Sequence, residues 1–464
     1  MQRRDFIKGA AGLSGGMFIA NALPGTALAT GSSYKALVCV MLLGGHDGAD
    51  LFVPMDSADN AKLKSMRPGI FADHAKAGNP RTPNGLVELD VREATGGRRF
   101  GVPSQLAALK DLYDSREMAI VGSVGPLVRP LTRQSYDASP TQRPARLFSH
   151  NDQQSTWMTL ALEGQSLGWG GAFLDSLGGG QLGPFAAING DAMNDFLTGA
   201  SITPFGINGG SAMPRRAGAR MKDRAFTQAN VSDRETYEDI INRHMKFDGL
   251  DDGNLFLRDY AALSRDGVGR VSRYVFARKR AQTLSTRFPA SPLGRKLRAV
   301  AETIAARGPI GATRQIIGVS QGGFDTHHDQ AAKLAELQIG VVEALSAFRD
   351  AMIELGLWND VAVFTASDFG RTLVENGSGT DHGWGNHHMV MGGNVRGGRL
   401  YGSLPDLDPD GEDYIEGRGR LLPRVSVEQY AATLGRWLGV SNGALLKSLP
   451  NLGRFDTADL GFMA

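Results

Sequence analysis

The chain has 464 residues, of which 61 are Gly, 20 Pro and one Cys; this length admits one large α/β domain with insertions or two smaller domains, and excludes a small disulfide-stapled scaffold. The glycines follow no Gly-X-Y period and the prolines are few, which excludes collagen and proline-rich disorder. Residues 1–29 hold three bases and one acid, leaving 50 − 3 = 47 Lys and Arg against 48 − 1 = 47 Asp and Glu, a neutral balance that gives no support to nucleic-acid binding.

The N-terminus carries Arg3 and Arg4, a mildly apolar stretch over residues 7–23 and the small-residue ending Ala27-Leu28-Ala29. Gly9, Gly12, Gly15, Gly16 and Asn21 weaken the stretch too much for a permanent membrane span, so residues 1–29 read as a signal peptide. Arg3-Arg4-Asp5-Phe6-Ile7-Lys8 resembles the twin-arginine signal, an address read by a translocase that moves folded proteins. It implies the twin-arginine translocase as a transient partner, cleavage after Ala29 and a periplasmic or extracellular location. Cys39 has no partner for an internal disulfide, so stability rests on the core.

Beyond the signal, residues 34–43 read as a buried strand closed by Gly44-Gly45-His46-Asp47-Gly48. A second strand covers 118–121 and a third covers 315–319, the latter followed by Phe324-Asp325-Thr326-His327-His328. Apolar residues from Leu334 to Leu355, mostly three or four apart, mark a long helix. A fourth strand over 361–365 ends in Ser367-Asp368-Phe369-Gly370-Arg371. Strand, helix, strand at this spacing is a βαβ unit with a parallel pair. Helical patterns also cover 232–247, 254–288, 292–306 and 427–438, the last capped by Ser426. Residues 164–230 are rich in Gly, Ala, Asn and Ser and read as loops opening an insertion over about 164–290. The expectation is a single α/β domain over 30–464, with a mostly parallel central sheet and helices on both faces.

In open parallel sheets, ligands bind beyond the carboxyl ends of the strands. Asp47, Asp325 and Asp368 each follow a predicted strand, and gathered carboxylates repel one another unless a cation lies between them. His46, His327, His328, His382, His387 and His388, six of the nine His, flank these loops. The pattern points to a divalent metal centre of mixed oxygen and nitrogen ligands. Taken singly the residues have other readings: an Asp after a strand also serves as a turn or N-cap residue, His387-His388 as a packed strand pair, and Asp381 as an outer partner orienting His382.

The ordered set Gly44-Gly45-His46-Asp47-Gly48, Ser149-His150-Asn151-Asp152-Gln153-Gln154, Gly323-Phe324-Asp325-Thr326-His327, Ser367-Asp368-Phe369-Gly370-Arg371-Thr372 and Gly379-Thr380-Asp381-His382-Gly383-Trp384-Gly385 resembles the bacterial family known as domain of unknown function 1501. That family looks like a branch of the alkaline phosphatase-like superfamily, so the resemblance implies a three-layer alkaline phosphatase-like sandwich. It implies one metal held by Asp325, His327 or His328, and His382 or His387. It implies a second near Asp47 and Asp368, where Phe369 replaces the expected second member of a ligand pair. The cofactor is one or two divalent ions, Zn²⁺, Mn²⁺, Mg²⁺ or Ca²⁺. Ser149 stands where the family's nucleophile begins a helix, with either a catalytic or a capping role; His150 and Asp152 are alternative site residues. Arg371 either clamps an anionic oxygen or pairs with Glu375. Two function classes follow: an exported hydrolase of phosphate or sulfate esters, with an anionic ester as its substrate, or a catalytically degenerate metal- or partner-binding protein of the same fold.

Overall fold

The computed structural model describes residues 34–208, 213–214, 255–416 and 418–464. The signal peptide expected over 1–29 and the helix expected over 232–247 lie outside the described residues. Strand β1 (Lys35–Leu42) is apolar with no alternation, as a strand covered on both faces must be. Its side chains divide by parity between two cores. Ala36, Val38, Val40 and Leu42 enter one, and Leu37, Cys39 and Met41 enter the other.

The other main strands are β2 (Met118–Gly125), β3 (Ala187–Asn189), β4 (Phe205–Asn208), β5 (Arg314–Gln321), β6 (Val361–Ser367) and β7 (Asn386–Met391). Across the sheet the order is Leu400–Tyr401, β2, β7, β6, β1, β5, β3, β4 and Met213–Pro214. β6, β1, β5, β3 and β4 run parallel, while β7 is antiparallel to both β6 and β2.

The helices that matter for the site are α1 (Gly48–Leu51), α2 (Pro68–Lys76), α3 (His150–Thr159), α4 (Trp169–Ser176), α5 (Leu255–Arg280), α6 (Pro292–Ala305), α7 (Gln330–Glu354) and α8 (Val427–Leu438). Leu297, Val300 and Ile304 of α6 and Leu334, Leu345 and Phe348 of α7 fill the first core. Trp157 of α3, Phe173 of α4 and Tyr430 and Leu434 of α8 fill the second. The molecule is therefore a mixed α/β fold with a large, mostly parallel sheet between two helical layers. The βαβ unit is β5, α7 and β6, and its two strands flank β1 on opposite sides, so the crossover passes over the middle strand. Helix α8 begins with a reciprocal capping box between Ser426 and Gln429.

Two expectations need correction. Residues 164–230 are not simply loops, because β3 and β4 belong to the main sheet and Trp169, Phe173 and Leu174 are buried in the second core. The glycines that blur the periodicity there serve close packing: a Cβ on Gly171 would lie 2.2 Å from the carbonyl carbon of Thr198. The helix expected over 254–288 stops at Arg280, and the amides of Ser285 and Thr286 bond the Glu354 carboxylate at 2.6 and 2.9 Å instead of continuing the helix.

Candidate metal centre

β6, β1 and β5 lie side by side in register, with Leu42 opposite both Ser367 and Gln321. The three loops that follow them are therefore neighbours. Gly44 is the point of closest approach: its φ is +114°, and a Cβ there would sit 2.3 Å from the Asp325 backbone nitrogen. Its amide donates to Asp368 Oδ2 at 3.1 Å, so one glycine ties the ends of all three strands together.

Asp325 Oδ1 is the centre of the cluster. His327 Nε2 lies 3.1 Å from it, His382 Nε2 3.4 Å and His150 Nε2 3.5 Å. His327 Nε2 and His382 Nε2 are 2.9 Å apart, and the potential ligand atoms of His150, Asp325 and His382 all lie within 4.8 Å of one another. These separations resemble the edges of a small coordination polyhedron: Zn–N bonds of about 2.0–2.1 Å in a tetrahedron give edges of about 3.3 Å. The Asp325 and His327 side chains are 46% and 38% exposed, so the cluster opens to solvent on that side.

Each imidazole is held from behind. His382 Nδ1 donates to the Phe148 carbonyl at 2.9 Å; a carbonyl only accepts, so Nδ1 carries the proton and the Nε2 lone pair faces inward. His150 Nδ1 is 2.6 Å from Asp368 Oδ2, which also accepts from Gln154 Nε2 at 2.9 Å. His327 Nδ1 faces Asp381 Oδ1 at 3.4 Å. Two inward lone pairs 2.9 Å apart repel unless a cation or proton lies between them, and anchored outer nitrogens are what metal-binding histidines need. Buried His150 Nε2 makes no hydrogen bond of its own. The donor set thus fits a divalent ion with affinity for imidazole, Zn²⁺ or a neighbouring transition metal.

Distant parts of the chain position these groups. Trp157 and Met158 anchor α3 in the second core, leaving His150 and Gln154, one turn apart, to grip Asp368. Phe148 and Arg146, just ahead of α3, have φ of +71° and +52°. These left-handed turns for non-glycine residues are a local strain of the kind that collects at working sites. His382 stands opposite Arg371 in the hairpin formed by Arg371–Glu375 and Thr380–His382, whose register places both against Asp325.

The structure gives several of the expected site residues other partners. Asp47 is 1% exposed and bonded twice by Arg67, at 2.8 and 3.2 Å, as well as by Gln330 and the Ala49 amide; it caps α1. Asp368 stands behind His150. His387 is buried away from the cluster, where its Nδ1 accepts from the Ser123 amide at 3.0 Å and its ring packs on Phe52. Asp381 faces His327, whereas the sequence suggested that it orients His382. Exposed His328 contributes its carbonyl to Lys333. Arg371 is fully buried and donates to Asp325 Oδ1 at 2.8 Å, to the Gly44 carbonyl and to Thr380. It has no bond to Glu375, whose carboxylate accepts from the first-turn amides of α2. Ser149 precedes α3 without capping it, and its hydroxyl donates to Asp152 Oδ2 at 2.9 Å.

The electrostatics follow this wiring. Burial opposes ionisation of Asp325, but the hydrogen bond and charge of Arg371, helped by His327 and His150, hold its carboxyl below the usual range. The Asp368 hydrogen bond raises His150, and burial lowers His382. Away from the cluster, burial pushes His46 down to about 4 and His387 to about 3. Below about pH 6.5 the unfolded chain therefore binds protons at these positions that the folded one refuses, so stability rises with pH. At about 1.4 kcal/mol per pKa unit, the two contribute several kcal/mol that are fully present above about pH 6.5 and lost as pH falls toward 4 and then 3. Urea midpoints measured between about pH 7 and pH 4.5 should fall steadily, and replacing His387 by Gln should flatten the trend. Equal acid sensitivity in that variant would show that His387 does not contribute.

The family described as "Protein of unknown function (DUF1501)" matches residues 34–447. No curated protein matches the chain. Among solved structures, one described as "Crystal structure of Ps i-CgsB" is similar at 9% identity and a TM-score of 0.37, over 88% of this chain and 72% of that one. Another, described as "Crystal structure of Ps i-CgsB in complex with k-i-k-neocarrahexaose", is similar at 10% identity and a TM-score of 0.34 over the same shares. With the family match running from the first described residue almost to the C-terminus, the chain belongs to the DUF1501 family.

Proposed function

We propose that the chain is an exported, metal-dependent hydrolase of phosphate or sulfate esters, on an alkaline phosphatase-like plan. The observation that carries this reading is the convergence of three imidazole Nε2 atoms on Asp325 Oδ1, each ring fixed by a partner on its far nitrogen. The cluster sits outside the carboxyl ends of parallel strands, the usual place for chemistry in such sheets.

A divalent cation bound there supplies Lewis-acid polarisation of an ester oxygen. The chain does the rest. Asp325, His150, His327 and His382 would hold the cation, and Asp368, Asp381 and the Phe148 carbonyl orient the three rings. Ser149 Oγ lies at the start of α3 and does not cap its first-turn amides, and a helix N-terminus favours an anion. Its proton points at Asp152 Oδ2, a carboxylate placed to accept it as Oγ attacks. Arg146, 64% exposed beside Asp152, adds positive charge where an anionic ester would approach.

One observation favours the non-catalytic alternative: Arg371, which bonds Asp325, is fully buried and directs four of its five N–H groups to protein acceptors, so it is not presented to a substrate oxyanion. Turnover decides between them. Protein loaded with Zn²⁺ or Mn²⁺ should hydrolyse aryl phosphate, diester or sulfate. Ser149→Ala should retain the metal and lose about 10³-fold or more in kcat, the residual rate resting on metal polarisation and binding. A loss of only a few-fold would assign the attack to water, and no turnover by the loaded wild type on any of these esters would leave a binding protein.

A further inference from the structure

We infer that the centre takes a single cation, and that the place of a second is taken by two side chains of this protein, the Arg67 guanidinium and the Phe369 ring. This rests on the metal-centre reading above and chooses between the one ion and two that the sequence leaves open.

A second ion would need Asp47 or Asp368, the two other carboxylates at the strand ends. Asp47 has no oxygen to give. Oδ1 accepts from the Ala49 amide and Arg67 Nη2, and Oδ2 accepts from Arg67 Nη1 and Gln330 Nε2. These four donors fill the roughly four lone-pair sites of a carboxylate. Arg67 is itself 1% exposed and fixed by the carbonyls of Thr372 and Leu373 at 2.8 and 2.7 Å. Its positive charge therefore does for Asp47 what a metal would do, and it repels a cation brought to the same carboxylate.

Asp368 is engaged otherwise. Oδ2 accepts three hydrogen bonds, from the Gly44 amide, His150 and Gln154. Oδ1 is buried without a partner, but a single oxygen does not make up the four or more ligands that divalent ions take. The next residue, Phe369, is fully buried, with its ring centroid 4.7 Å from that of His150 and 4.8 Å from that of His382. It is wedged in place, since a Cβ on Gly45 would lie 2.4 Å from the ring. An apolar ring thus fills the space directly beside two of the ligating imidazoles and offers no donor there.

The test is the number of ions bound. Full-length wild type, stripped with chelator, reloaded with excess Mn²⁺ or Zn²⁺ and desalted, should carry one ion per chain by elemental analysis, and the Mn²⁺ form should show an uncoupled paramagnetic spectrum. Asp47→Asn should keep that count, because Asp47 is not a ligand. If this variant does not fold, the wild-type count and spectrum decide alone. Two ions per chain with an exchange-coupled Mn²⁺ spectrum would overturn the single-cation inference and leave the metal-centre reading standing. No retained ion would overturn both, as would loss of the ion in a folded Asp47→Asn variant overturn the role given to Arg67.

Discussion

Replacing Asp325 by Ala should abolish cation binding, and any metal-dependent turnover with it. Asp325 Oδ1 lies within 3.5 Å of all three imidazole Nε2 atoms, and it brings the carboxylate charge to the proposed ligand set. Its removal also strands the buried Arg371 beside three histidines, so positive charge replaces negative where the ion would bind. Outer partners of metal ligands typically cost about 10–100-fold in affinity when removed; Asp368→Asn belongs in that range, because it leaves the proposed ligand atoms in place and weakens the hold on His150 Nδ1, together with the bonds that the same oxygen accepts from the Gly44 amide and Gln154. Asp325→Ala should lie far beyond it. Competition titrations with a chromophoric chelator rank the two variants, and equal losses in both would mean that Asp325 is not a direct ligand.

The largest effect on stability is expected from Arg67→Ala. The guanidinium and Asp47 are each 1% exposed and hydrogen-bonded to each other, and breaking one half of such a buried pair costs about 3–5 kcal/mol through the uncompensated charge that remains. Two carbonyls, of Thr372 and Leu373, lose their donors at the same time. Removing both charges with Arg67→Met and Asp47→Leu together should recover much of the loss, since a well-packed apolar pair can replace a buried ion pair. Urea unfolding of the single and double variants checks this. A double variant as unstable as the sum of its singles would mean that the charges do not act as a pair.

The fold was largely legible because its central strands are buried on both faces. Continuous apolar runs at β1, β5 and β6, each closed by Gly or Asp, mark buried strands whichever side they face, and the long helix α7 declares itself by spacing. The α4 to β4 region was not legible, since its strands are only three and four residues long and its glycine-rich helix buries itself through close approach, leaving little apolar stripe. At the site, residue types located the cluster: Asp325, His327, His382 and His150 all come from motifs visible in the sequence. Which atom faces which was not visible. Asp47 and Asp368 carry the same carboxylate as Asp325, yet Arg67, twenty positions beyond Asp47, claims one, and α3 claims the other. Phe148 acts through its backbone carbonyl, aimed by a left-handed turn, and a backbone group leaves no signature in residue identity.

The most direct test of the proposed metal centre is X-ray absorption at the zinc edge on reloaded wild-type protein. The expected spectrum shows a first shell of nitrogen and oxygen at about 2.0–2.1 Å, with outer-shell scattering from three imidazoles that falls to two in His150→Ala. A zinc shell without imidazole scattering, or one unchanged by the loss of His150, would contradict the convergence of His150, His327 and His382 on a common ion.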